Sequence, residues 1–336
     1  MKPAHMGRGD LAGKVIDVHS HVGVSLKAYG LLEYPYAQTI EGIYYQQKAG
    51  GVDVNVVFPL TCDLYLEIAD LMRGDVVPAA EPVSDVPFAI ENRTVMSSVF
   101  NRCPELSDRF LPFVSVDPVR AVSEQLSALE ALEQEFPIYG IKVNATLCQS
   151  PVIGLLERGK AFLDFAEERN LPLLFHATTW PDDQYSQASD VFRIAEARPK
   201  LRICIAHCLL FHRKSLERAR AMRNVWVDTA AMKIQVELVR SDEGRSMPTS
   251  ELLGGDYTDH TRMMVTLCSA FPETIIWGSD SPCYSYICDR KQGAGGEVKE
   301  FRLKGTYEDE IAALDSLPAD LREKVSNRNT LDFIFG

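Results

Sequence analysis

Eight short apolar runs, at residues 15–21, 54–58, 110–118, 140–144, 171–176, 201–207, 225–228 and 274–280, alternate along the chain with stretches of helical period. Runs of this length, rich in β-branched residues, read as strands buried on both faces. Between them the apolar residues recur every three or four positions. Val122, Leu126, Leu129, Leu132 and Phe136 form one such stripe, with Glu124, Glu130 and Glu133 on the opposite face. Strands that alternate with helices pair in parallel through right-handed crossovers, and eight of them close into a barrel. The expected fold is α/β, a (β/α)8 TIM barrel with elaborated loops at the C-terminal face of the strands. An open doubly wound sheet would carry Gly-x-Gly-x-x-Gly after its first strand. Here that position holds His19-Ser20-His21.

Residues 1–13 are small and polar and read as a loose lead-in, leaving 14–336 as a single TIM-barrel domain. Two stretches break the rhythm, Arg73 to Glu91 and Lys233 to Asp259, and both are expected as loops that cover the active rim. A Gly-rich excursion around Gly293-Ala294-Gly295-Gly296 follows the eighth strand. The net charge of -12 argues against nucleic acid or an anionic membrane as the main partner. No apolar run near the start is long enough for a signal peptide or a span, so the expected compartment is the cytoplasm. The eight cysteines form no Cys-x-x-Cys pair and read as reduced thiols packed as small hydrophobes.

In a barrel the chemistry sits at the C-terminal ends of the strands. His19 and His21 end the first strand, Lys142 and Asn144 the fourth, His176 the fifth, His207 the sixth and Asp280 the eighth. Four of the seven histidines therefore fall on one rim. Side chains two apart on a strand share a face, so Asp17, His19 and His21 are expected to point the same way. His19, His21, His176 and Asp280 offer three neutral nitrogens and one carboxylate, a set suited to zinc or another first-row divalent ion. Trp180, Tyr284 and Tyr286 follow the fifth and eighth strands and are expected on the pocket wall.

The order Asp-x-His-x-His, Gly-Ile-Lys142, Leu-Phe-His176, Ala-His207 and Gly-Ser-Asp280, with Asn329 near the C-terminus, resembles the amidohydrolase superfamily. It is most similar to the amidohydrolase-related branch, which includes aminocarboxymuconate-semialdehyde decarboxylase and TIM-barrel metal-dependent hydrolases. The resemblance implies one divalent metal held by His19, His21, His176 and Asp280, with zinc the expected ion, and His207 placed to touch substrate. In some members the lysine of the fourth strand is carbamylated and bridges two metals, a role open to Lys142. The branch often has a histidine two residues after that lysine, where this chain has Asn144.

The expected activity is hydrolysis of a small-molecule C–N or C–O bond, in an amide, lactone or related group, by metal-activated water. Asp280 and His207 would be the catalytic groups, handling protons and polarising the scissile bond. Metal-dependent non-oxidative decarboxylation of a carboxylic acid is the alternative, disfavoured by the lack of a strand-end arginine; Arg73, Arg93, Arg102 and Arg290 lie in flanking segments. A non-catalytic metal-binding protein is the third reading. The expected partner is a small-molecule substrate, with assembly into a homo-oligomer left open.

Overall fold

The structure is a computed structural model that describes residues 3–241, 248–291 and 298–336. Eight parallel strands run in chain order around the molecule: β1 (Ile16–Val24), β3 (Val54–Pro59), β4 (Phe110–Val116), β5 (Gly140–Val143), β6 (Leu173–Phe175), β7 (Ile203–Ile205), β8 (Val225–Asp228) and β9 (Ile275–Ile276). A two-residue strand, β2 (Ala37–Gln38), adds antiparallel to the end of β1. The ring closes between the segment after β9 and β1. Val18 N donates to Trp277 O (3.1 Å), Asp280 N to His19 O (2.9 Å) and His21 N to Ser281 O (2.7 Å). Gly278 permits this approach, since a Cβ there would come within 2.8 Å of His19 Cβ. The expected TIM barrel is the fold observed.

Apolar side chains pack the barrel interior. Ile16, Val18, Val54, Val56, Leu111 and Leu174 fill it, with 0% exposure each. Its N-terminal end is plugged by Leu11, Tyr139 and Phe333, the last carried on the closing helix Asn329–Phe335. From Met6 to Leu11 the lead-in is therefore not loose. Leu11 is fully buried, and Asn327 Nδ2 donates to its carbonyl (2.9 Å), while Met6 N donates to the Tyr139 hydroxyl (2.7 Å).

Three other expectations change. β1 contains a bulge between Asp17 and Ser20, which pair with Asn55 and Val57. The extra residue reverses the alternation. Asp17 and Ser20 consequently meet Asn55, whose side chain is bonded to Gln47 on the helix Ile40–Gly50, so Asp17 faces the helical layer and not the histidines. The stretch from Lys233 begins as helix, Met232–Arg240, because Met232, Val236 and Val239 bury one face. Tyr284 packs toward Tyr307 and Gln46 instead of the pocket. The Gly-rich run at 293–296 lies outside the described residues. Among the described residues no helix is long and apolar enough to cross a membrane.

Candidate active site

The strand ends converge as the sequence predicts, but they do not do so equally. His19 and His21 leave the last turn of the barrel interior packed edge-on to Phe58, with ring centroids 5.1 and 4.7 Å away. Their Nε2 atoms each lie 3.2 Å from Asp280 Oδ1. His207 comes to the same carboxylate from β7, its Nδ1 3.8 Å from Asp280 Oδ2. Donor atoms of His19, His207 and Asp280 form one compact group, and those of His21, Asp280 and Cys283 a second that shares the aspartate. His176 belongs to neither group. Its Nδ1 sits 2.8 Å from His207 Nε2, one ring further out.

Two of these residues are held on strained backbone. Asp280 has φ of +64°, and His207 opens a run of five residues, through Phe211, with φ between +49° and +66° and no glycine among them. Each such residue costs roughly 1–2 kcal/mol, so burial of Cys208, Leu209 and Phe211 must offset several kcal/mol. The run places His207 at the mouth and turns Leu210 into the pocket wall.

Electrostatics favour a cation at the centre. Burial, reinforced by the charge of Lys142, pushes the His19 imidazole well below its usual range, and burial lowers His21 too. Both rings are neutral lone-pair donors at pH 7. Burial by itself would raise the Asp280 carboxyl; in acid the charge taken up by the adjacent His19 and His21 outweighs it and holds the group at about 2. Asp280 Oδ1 is nonetheless a buried acceptor with no well-formed hydrogen bond. An ionised oxygen left so in a dry site is costly. The nearest fixed positive charge is Lys142, whose Nζ lies 3.0 Å from His19 Nε2 and 4.6 Å above the Phe58 ring, and burial lowers its pKa to about 8.

A further carboxylate supports the group from behind. Asp228, at the end of β8, accepts a hydrogen bond from His19 Nδ1 (2.8 Å) and through its other oxygen from His207 N and Ala230 N (3.0 Å each). It fixes the His19 tautomer that aims Nε2 at the centre, the arrangement found behind metal-binding imidazoles. The only sequence signal was an acid closing the run Val225-Trp226-Val227.

A cavity of about 280 Å³ opens onto the group, with His21, His176, His207, Asp280 and Asn144 at its floor and side. Ile234, Gln235 and Leu238 line it from the helix Met232–Arg240. Trp180 and Tyr286 line it as expected, the latter from a hairpin of β10 (Tyr286–Lys291) and β11 (Val298–Leu303) that also contributes Phe301 and Leu303. No arginine or lysine is among its described lining residues. Arg73, Arg93 and Arg102 pair instead with Asp70, Glu135 and Glu41.

The comparisons with known proteins agree with this architecture. The family model described as amidohydrolase matches residues 16–334. No curated protein matches the chain significantly. Among solved structures, the chain is similar to a probable 2-pyrone-4,6-dicarboxylic acid hydrolase from Acinetobacter baumannii with citric acid bound, at 13% identity and TM-score 0.54, covering 96% of this chain and 99% of that one. A 2,6-dihydroxybenzoate decarboxylase in complex with 2,6-dihydroxybenzoate gives 13% identity and TM-score 0.55 over the same shares. An amidohydrolase from Burkholderia multivorans with bound zinc gives 12% identity and TM-score 0.57 over 96% and 100%. Identities this low speak for the fold alone, whereas the family match spans nearly all of the sequence that builds the barrel and its rim: the chain belongs to the amidohydrolase family, in its amidohydrolase-related branch.

Proposed function

We propose that this enzyme of the amidohydrolase type hydrolyses a C–N or C–O bond of a small molecule, in an amide, lactone or related group, with one divalent cation, zinc in the first instance. The observation that carries the reading is Asp280 Oδ1, buried without a proper donor and equidistant, at 3.2 Å, from two neutral imidazole nitrogens. Two donors on one zinc ion at about 2.0–2.1 Å stand about 3–3.4 Å apart, so the residues present fit such an ion. His19, His21 and Asp280 would hold it, with His176 as the proposed fourth donor and Lys142, if carbamylated, the route to a second ion. When bound, the cation supplies a Lewis acid and makes water acidic enough to ionise near neutral pH.

The chain's own groups do the rest. Asp280, ionised at pH 7, accepts a proton from the attacking water through Oδ2 and returns it to the leaving atom. His207 faces the cavity beside that oxygen and polarises the attacked carbonyl or protonates the departing group. Asp228 keeps His19 and the backbone of His207 in register. The apolar wall from Trp180, Leu238 and Tyr286 excludes water and accepts the body of the substrate.

Decarboxylation is the second reading, since a 2,6-dihydroxybenzoate decarboxylase shares the fold. The lack of any cation among the described wall residues speaks for hydrolysis, since a bound carboxylate would otherwise depend on the metal alone. The experiment is a screen of the zinc-loaded protein against aryl amides, esters and lactones beside hydroxybenzoates and muconate-type acids. Hydrolysis that stops on chelation and returns with zinc is expected; release of carbon dioxide without hydrolysis overturns the proposal.

A further inference from the structure

We propose that Cys283 is a ligand of this centre, contributing a thiolate beside His21 and Asp280 and giving the site a preference for soft and borderline ions. The inference rests on the metal centre proposed above and adds to it a residue that the family motifs do not include.

Three observations carry it. First, Cys283 Sγ, a His21 ring nitrogen and an Asp280 carboxylate oxygen all lie within 4.8 Å of one another, close enough to share one ion. Second, that same Asp280 carboxylate, on a residue only 4% exposed, carries the unsatisfied buried oxygen Oδ1. Third, Cys283 is set apart from the other seven cysteines. They are all buried, whereas Cys283 is partly exposed and lines the cavity. The backbone makes the placement deliberate: the turn from Asp280 to Cys283 is closed by a hydrogen bond from Cys283 N to Asp280 O, which returns the thiol to the carboxylate three residues back.

Chemistry then decides what such a thiol does. A thiolate is a soft donor, and a site that adds one to imidazole and carboxylate favours zinc, cobalt and cadmium over magnesium, calcium and manganese. Binding forms one metal–sulfur bond and breaks the S–H bond, the proton leaving to solvent; no oxidant or reductant takes part. A wall cysteine that merely packed against substrate would produce neither the selectivity nor the proton.

The test uses the intact protein and cobalt(II) as the probe, read by its spectrum and by equilibrium dialysis. The wild type is expected to show visible d–d bands together with an intense near-ultraviolet sulfur-to-cobalt band. In Cys283→Ser the near-ultraviolet band disappears, cobalt is still bound through the histidines, and cadmium affinity falls by at least roughly tenfold. Cys288→Ser, in the adjacent hairpin, keeps the band. Retention of the band in Cys283→Ser, or its absence from a cobalt-loaded wild type, overturns the thiolate ligand while leaving the metal centre standing. Failure of the wild type to bind cobalt or zinc at all overturns both. A second readout is independent of spectra: alkylation of Cys283 by iodoacetamide, followed by peptide mass spectrometry, is expected to be slowed by zinc, and equal rates with and without zinc contradict the proposal.

Discussion

The two ends of the barrel obey different rules. At the N-terminal end Leu11, Tyr139, Phe113 and Phe333 close the interior with apolar contacts, Phe113 and Phe333 standing 6.4 Å apart between ring centroids. At the C-terminal end the same interior finishes in imidazoles, carboxylates and a lysine, on backbone that includes six non-glycine residues of positive φ at Asp280 and 207–211. One end lowers the free energy of the fold. The other stores strain and desolvated charge, which is tolerable because the rest of the barrel is apolar and well packed. What this difference teaches is that the site should be recognisable by what its removal does not cost: substitutions at the mouth should abolish chemistry cheaply, and substitutions at the base should cost stability and spare chemistry.

The sharpest break would be at His207. Replacement by Asn is expected to lower kcat by about 10²–10⁴ with zinc content unchanged, as steady-state kinetics and metal analysis would reveal; loss of metal in step with activity would move His207 into the ligand set. The complementary substitution is Phe333→Ala at the base. It should cost about 3–5 kcal/mol in denaturant unfolding while turnover per folded molecule stays the same, and a large fall in turnover would dissolve the contrast between the ends.

Asp17 probes the layer between. Burial raises its pKa from 3.8 to about 6. A carboxyl that holds its proton more tightly when folded contributes stability that is complete below pH 3.8 and lost as pH rises through 6. Relative to Asp17→Asn, the wild type should therefore lose about 2 kcal/mol between pH 4 and pH 7. Unfolding measured across that range would show it, and parallel curves for the two proteins would contradict it. The smallest effect is expected at Asp228→Asn, a neutral isostere that keeps its backbone contacts but weakens the grip on His19: zinc affinity should fall by about 10–100-fold with little change in fold, and unaltered zinc titrations would deny Asp228 its positioning role.

Much of this was legible in the sequence because it depends on local period. The eight strands, the helices between them and the convergence of His19, His21, His207 and Asp280 follow from where apolar runs end. What was hidden depends on contacts across the fold. A bulge is one extra residue in a ladder, and no local pattern in Ile16-Asp17-Val18-His19 announces it, so Asp17 seemed to share the histidines' face. Asp228 acquires its meaning from a partner 209 residues away. The helix Met232–Arg240 was obscured because Lys233, Gln235, Glu237 and Arg240 interrupt its apolar residues, although its buried positions carry the helical spacing. Cys283 looked like any of the eight thiols until the turn after Asp280 set it against the carboxylate.

The central claim is that a cation belongs at the point where Asp280 Oδ1 meets the two Nε2 atoms. Crystals of the zinc-loaded protein, with diffraction recorded on both sides of the zinc absorption edge, address it directly. The account predicts an anomalous peak bounded by His19, His21 and Asp280. A peak elsewhere, or none there at full zinc occupancy in solution, would contradict it.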